Sequence, residues 1–240
     1  MTGIAVQASE LRVTYKVGSG LVHALAGIDL LVPEGQFLLV RGRSGSGKTT
    51  LLHVISGLLK PTFGTVRVGP FDVHSLEGRE ADVFRRRNVG LIFQFFNLIP
   101  TLTVEMNVAL PLLLDGQKLP RLRGRIREIL ESLGLGHRLG HAPNQLSGGE
   151  MQRVAIARAL IIEPKIILAD EPTGNLDSRT AHDVLALLRQ QVTERRVTMV
   201  VMTHEVNATT YADRVIEMSD GRILTDTWVA SRSPKALDAR

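Results

Sequence analysis

The 240-residue chain carries 29 Lys+Arg against 24 Asp+Glu, a net charge of +5 with histidine neutral, and no cysteine. Its 44% hydrophobic and 22% charged content is that of a globular chain with a sizeable core and excludes a disordered one. The missing thiols exclude a disulfide framework, a thiolate metal site and a cysteine nucleophile, and they fit a reducing compartment.

In chain order, residues 4–16 and 21–32 read as β-rich stretches around a Gly/Ser turn. No secretory signal is visible in residues 1–10. Residues 36–40 form an apolar run of strand length that leads into a glycine-rich loop. Residues 49–59 then carry Leu51, Leu52, Ile55 and Leu58 at helical spacing, closed by Pro61 and Gly64. Val89–Phe93 is a further buried strand. The apolar region 102–114 is interrupted by Glu105 and Pro111 and is too short to span a bilayer. Residues 121–133 are helical and basic on one side, and Gly148–Leu160 is a helix after a glycine pair. Residues 166–169 form a strand ending in Asp170 and Glu171, and residues 180–189 a helix. Residues 197–202 form a strand ending in Thr203 and His204. Residues 215–218 and 222–225 pair as a hairpin, and the tail from Ser231 is expected to fray. Strands alternating with helices predict an α/β domain with a largely parallel sheet. The stretch from about 95 to 160 breaks that rhythm and reads as an inserted helical subdomain. The expected division is one domain over residues 1–228 and a short tail over 229–240.

Gly42-Arg43-Ser44-Gly45-Ser46-Gly47-Lys48-Thr49 fits G-x-x-x-x-G-K-[ST] at every position. Glycines let several backbone N–H groups converge on one anion, and the following helix adds its positive end. Lys48 supplies charge to the β- and γ-phosphates, and the Thr49 hydroxyl can ligate Mg²⁺. The loop, with Thr50 behind it, implies a bound nucleoside triphosphate. Asp170 and Glu171 sit at a strand end, where open α/β sheets bind ligands. Asp170 is placed to hold Mg²⁺, directly or through water. Glu171 is expected to point away from Asp170 by strand alternation, as general base or as orienter of the attacking water. His204, at a second strand end, can donate a hydrogen bond to a γ-phosphate oxygen. Leu146-Ser147-Gly148-Gly149-Glu150 places Ser147 as a helix N-cap, with bare N–H groups behind it as a second anion site. Two complementary phosphate sites on one chain suit ATP held between two copies across a two-fold axis.

Together these segments resemble ATP-binding cassette (ABC) proteins over about residues 4–225. Leu146 to Glu150 resemble the family's signature motif. The resemblance implies a phosphate-loop core with a mostly parallel sheet, an N-terminal antiparallel β subdomain and the helical insertion. It also implies that Tyr15 stacks on adenine and that Gln94 senses Mg²⁺ and the permease. Asp170 and Glu171 become the metal-binding and catalytic carboxylates, Gly174-Asn175-Leu176-Asp177 a dimer-interface loop, and His204 the switch histidine. Gln94 to Pro100 and Glu171 to Asp177 are similar to the lipoprotein-release, macrolide-export and cell-division branch.

The implied function is an ATP hydrolase that uses ATP and Mg²⁺ and pairs with a second cassette, identical or not. It would energise a separate integral-membrane permease from the cytoplasmic face of the membrane, as a peripheral protein, in export or mechanotransmission. No nucleic-acid partner is expected. The alternatives are a non-transport cassette acting on nucleic acid and a regulator of a membrane complex. Four departures from the family pattern are Arg43 for Pro, Thr49 for Ser, Glu150 for Gln and Met151 for a polar residue. The positive excess is concentrated in Arg85, Arg86 and Arg87 and in Lys118, Arg121, Arg123, Arg125 and Arg127. These read either as a solvated surface or as a docking surface for acidic permease segments or anionic lipid.

Overall fold

The computed structural model describes residues 3–229; the expected frayed tail from Ser231 lies outside them. The chain opens with β1 (Ile4–Val17) and β2 (Gly20–Pro33), paired antiparallel around the expected turn. Then come β3 (Phe37–Arg41), α1 (Lys48–Ile55), β4 (Phe63–Val68), β5 (Phe71–Asp72), α2 (Gly78–Asn88) and β6 (Val89–Phe93). Three helices follow: α3 (Val104–Leu114), α4 (Leu119–Ser132) and α5 (Gly148–Leu160). The chain returns to the sheet with β7 (Ile166–Asp170), α6 (Ser178–Arg195) and β8 (Thr198–Thr203). The hairpin β9 (Arg214–Ser219) and β10 (Arg222–Trp228) is the last described element.

Two sheets result. A four-stranded antiparallel sheet has the order β2-β1-β4-β5, and a six-stranded sheet the order β10-β9-β3-β8-β7-β6. In the larger sheet β9, β3, β8, β7 and β6 run parallel, and only β10 is antiparallel. Strand alternation sorts its side chains into two cores. Phe37, Leu39, Ile167, Ala169, Met199 and Val201 pack with α3, α4, α5 and α6. Leu38, Val40, Ile166, Leu168, Val200 and Met202 pack with α1 and the antiparallel sheet. Burial on both faces explains why the central strands are uninterrupted apolar runs. The three helices within residues 104–160 pack on one another through Val108, Ile126 and Val154. Among the described residues no helix is long and apolar enough to cross a membrane.

Several boundaries differ from the sequence expectation. Helix α1 ends at Ile55, not Leu59, because the Leu58 and Leu59 N–H groups both bond back to His53 O and break the helical ladder. Helix α6 starts earlier and runs longer than residues 180–189, capped by Asp177, which accepts from the Arg179 and Thr180 N–H groups. β4, β5 and α2 carry no expectation at all. Helix α2 buries one residue, Phe84, and so has no apolar periodicity to read.

The basic clusters are largely neutralised within the fold. Arg86 and Arg87 share Asp115, holding its carboxyl below the usual range through the Arg87 hydrogen bond first of all. Arg85 pairs with Asp82, Arg123 with Glu105, and Arg125 with Glu163. Only Lys118, Arg121 and Arg127 remain exposed and without an ion pair among the described residues.

Candidate nucleotide site

Four adjacent parallel strands, β3, β8, β7 and β6, deliver their following loops to the same sheet edge. Arg41 lies level with Thr203, and Asp170 with both Met202 and Phe93. This edge, beyond the carboxyl ends of the strands, is where open α/β sheets bind ligands. A cleft of 770 Å³ opens there. Its lining includes Arg43, Ser44, Gly45, Ser46, Gly47, Lys48, Thr49, Thr50, Gln94, Asp170, Glu171 and His204, with Val22, His23 and Ala24 from β2 on the rim. Gly42 begins the loop behind it. Tyr15 is not part of the lining; it sits on β1 in register with Val22, 41% exposed.

The phosphate loop is organised by its own lysine. Lys48 is buried, and its Nζ donates to the Gly42 carbonyl at 2.7 Å and the Arg43 carbonyl at 3.1 Å. These bonds close the loop into a ring whose charge already sits at its centre. Gly45 and Gly47 take φ of +80° and +101°, which turns the backbone amides.

The Thr49 hydroxyl donates to Asp170 Oδ2 at 2.9 Å. Asp170 Oδ1 is buried without a hydrogen-bond partner. Burial is the main cause that raises the Asp170 carboxyl above its ordinary range, against the lowering effect of the Thr49 bond. A half-satisfied buried carboxylate beside a hydroxyl suits a hard oxygen-seeking cation, which would supply the missing partner. Among the described residues no cluster of three or more His, Cys, Asp or Glu side chains could hold a metal alone. The Thr49 hydroxyl and Asp170 carboxylate could hold such a cation only as part of a set completed by other ligands.

Glu171 does not point away from Asp170. The strand ends at Asp170, Glu171 adopts φ +45°, and both carboxylates line the cleft. Alternation fails because the left-handed backbone turns the side chain back. The Glu171 N–H bonds to Met202 O at 2.8 Å, which holds that conformation. Glu171 Oε1 lies 3.0 Å from His204 Nδ1, and Glu171 Oε2 accepts from the His204 backbone N–H at 3.4 Å. Glu171 thus engages the Nδ1 edge and the backbone of His204, which leaves Nε2 as the ring nitrogen open to a ligand.

Gln94 is tied to the loop after β7. Its side-chain amide donates to Asn175 Oδ1 at 3.2 Å, and Asn175 Nδ2 donates to Gln94 O at 3.0 Å. Beyond it, Phe96 and Asn97 have φ of +53° and +49°. Arg158 on α5 donates to both of their carbonyls, at 2.8 Å to Phe96 O. Sequence reasoning missed Arg158, since nothing in the local pattern links positions 61 and 62 apart.

Ser147 to Glu150 lie outside the cleft lining. Ser147 is the expected N-cap of α5, within a reciprocal capping box. Its Oγ accepts from the Glu150 N–H at 3.3 Å, and Glu150 Oε2 accepts from the Ser147 N–H at 2.8 Å. The helix start is therefore less bare than its sequence suggests. Among the described residues, the Gly148 and Gly149 N–H groups and the Ser147 hydroxyl proton are the donors left over at this helix start.

The comparisons with known proteins agree with this arrangement. The family model for ABC transporters matches residues 25–174. The lipoprotein-releasing system ATP-binding protein LolD of Geobacter metallireducens is 44% identical over 221 residues, covering 92% of this chain and 98% of that protein. The macrolide export ATP-binding/permease protein MacB of Rhodopirellula baltica is 46% identical over 223 residues, covering 92% of this chain but 33% of that longer protein. A bacterial ABC transporter cassette solved as a dimer superposes with a TM-score of 0.85 at 40% identity, covering 93% of this chain and 98% of that one. The same cassette, in a post-hydrolysis state bound to ADP and Pi, matches equally well. On sequence, fold and site geometry together, this chain belongs to the ABC transporter family, as an ATP-binding cassette of the lipoprotein-release and macrolide-export branch.

Proposed function

We propose that this ABC-type ATPase energises a separate membrane permease by closing and opening a pair of cassettes around ATP. One observation carries the reading: the phosphate loop and the carboxylates share one cleft, while the free donors of Ser147, Gly148 and Gly149 lie outside it. A chain with two complementary half-sites completes each by pairing with a second copy. The dimeric cassette among the similar structures supports that pairing.

In this reading Lys48, Thr49, Thr50 and the amides of Gly42, Arg43, Ser44, Gly45, Ser46 and Gly47 hold the triphosphate. Tyr15 and the β2 rim face the base. Thr49, Asp170 and Gln94 would hold Mg²⁺, which would supply positive charge to offset the charge developing on the phosphates. Ser147, Gly148 and Gly149 of the second copy donate to the γ-phosphate, so ATP favours the closed pair by differential affinity. Glu171 accepts a proton from the attacking water or orients it. His204, held through Nδ1, presents Nε2 to the phosphoryl oxygens. Gln94 reports the state of the site through Asn175 and the loop held by Arg158.

The work takes place at the cytoplasmic face of the membrane, with the chain as a peripheral subunit and export or mechanotransmission as its output. The similarity to lipoprotein-releasing and macrolide-export proteins supports this. Glu171→Gln tests it. The variant is expected to bind ATP, lose turnover by about 10²–10⁴-fold and accumulate as an ATP-bound dimer. Parental turnover would remove the role given to Glu171. A monomer at saturating ATP would remove the paired site.

A further inference from the structure

The α5 N-terminus carries a carboxylate where the proposed function places a phosphate. Glu150 is only 14% exposed, and its Oε2 is fixed on the Ser147 N–H. A full negative charge beside Ser147 and Gly148 opposes the approach of a triphosphate. Oε1 is met by Arg138, whose Nε donates to it at 2.8 Å.

Arg138 does not arrive there by chance of a long side chain. It ends a single 3-10 turn, Gly136–Arg138, and the next residues are bonded to α3. The Val104 N–H donates to His141 O at 2.9 Å, and the Glu105 N–H to Leu139 O at 3.0 Å. Arg138 Nη1 lies 3.2 Å from His141 Nε2, which fixes the outer edge of the guanidinium. A charge held by two elements opposes the Glu150 carboxylate without reorganising.

We propose that Arg138 is a positioning residue for the second ATP half-site: it cancels the Glu150 charge so that Ser147, Gly148 and Gly149 can receive the partner copy's γ-phosphate. The role rests on the paired-cassette reading above and adds to it the electrostatic balance of this particular signature. A purely structural ion pair makes the opposite forecast for one variant. Glutamine at position 150 can still accept from the Ser147 N–H through its side-chain carbonyl. It removes the ion pair but also the repulsion, leaving Arg138 as a surplus cation facing phosphate.

The test is a two-residue cycle in the full chain, with Glu171→Gln as the parent, read as the dimer dissociation constant at saturating ATP by light scattering. Charges about 8–10 Å apart at an effective dielectric of about 20–40 change an equilibrium by roughly 4- to 30-fold, so Arg138→Gln is expected to weaken the dimer by about that factor. Glu150→Gln is expected to tighten it. The double variant is expected to return to within about threefold of the parent, because the cycle removes both charges. An unchanged constant in Arg138→Gln, a weaker dimer in Glu150→Gln, or no recovery in the double variant would each overturn the proposal. So would a matching loss of ATP affinity in dilute monomeric Arg138→Gln, which would assign the effect to damage of the fold. A parent that does not dimerise at all would instead refute the paired site, and this role with it.

Discussion

A single methyl group at Gly47 measures how tightly the phosphate loop is built. Gly47 has φ +101°, and a Cβ there would lie 2.4 Å from Ala24 O, 3.2 Å from Leu25 Cδ2 and 3.4 Å from Gly221 Cα. Neither backbone neighbour is loose. Gly221 O accepts from the Ala26 N–H at 2.9 Å, and the Gly221 N–H donates to Ser46 O at 3.1 Å. Gly45 is the control, with φ +80° and nothing within 4 Å of its added Cβ. Both alanine variants bear the left-handed strain, about 1–2 kcal/mol. Only Gly47→Ala adds the clash, about 1–3 kcal/mol by analogy with overpacking. At about 2–4 °C per kcal/mol for a domain of this size, Gly45→Ala is expected to melt about 2–8 °C below the parent, and Gly47→Ala lower by a further several degrees. ATP affinity, measured by calorimetric titration, is expected to fall further for Gly47→Ala in the same order. Two variants that melt within about 2 °C of each other, with equal ATP affinity, would refute the close packing of this loop against β2 and the β9–β10 turn.

Lys48→Ala removes both the phosphate charge and the two bonds that close the loop, and is expected to abolish ATP binding or turnover; unchanged turnover in a phosphate-release assay would remove the phosphate-loop reading. Glu150 is lowered from its ordinary 4.5 to about 2, by the Ser147 backbone hydrogen bond first and then by Arg138. The folded state therefore holds the proton less tightly than the unfolded one. The stability Glu150 contributes is fully present above pH 4.5 and is lost as pH falls towards about 2. Melting curves should show Glu150→Gln less stable than the parent at pH 6, with the gap closing by about pH 2; a gap constant across that range would contradict it. Replacing Lys118, Arg121 and Arg127 together by Gln is expected to reduce sedimentation with anionic phospholipid vesicles, each charge being worth about 1 kcal/mol, while ATP binding persists. Unaltered sedimentation would return them to ordinary solvated charges.

The chemistry of this chain was legible in its sequence because the ligand is a triphosphate and its binding rules are local. A curled glycine loop, its lysine and its hydroxyl are contiguous from Gly42 to Thr49, and the apolar runs before Asp170 and His204 announce buried parallel strands. The capping box of Ser147 and Glu150 spans four residues and could be read as a helix start. What sequence could not decide were relations between segments. Glu171 faces the cleft only because its backbone turns left-handed against Met202. His204 gains its orientation from a carboxylate 33 positions earlier. Arg158 reaches carbonyls 61 and 62 positions away, and Arg138 reaches Glu150 from a turn anchored on α3. The positive excess likewise read as a surface property until the fold set Arg86 and Arg87 on Asp115. Local spacing determines which groups a segment can offer; only the packing of sheet against helices determines which charges are cancelled, which amides stay free, and which side chains meet at one edge.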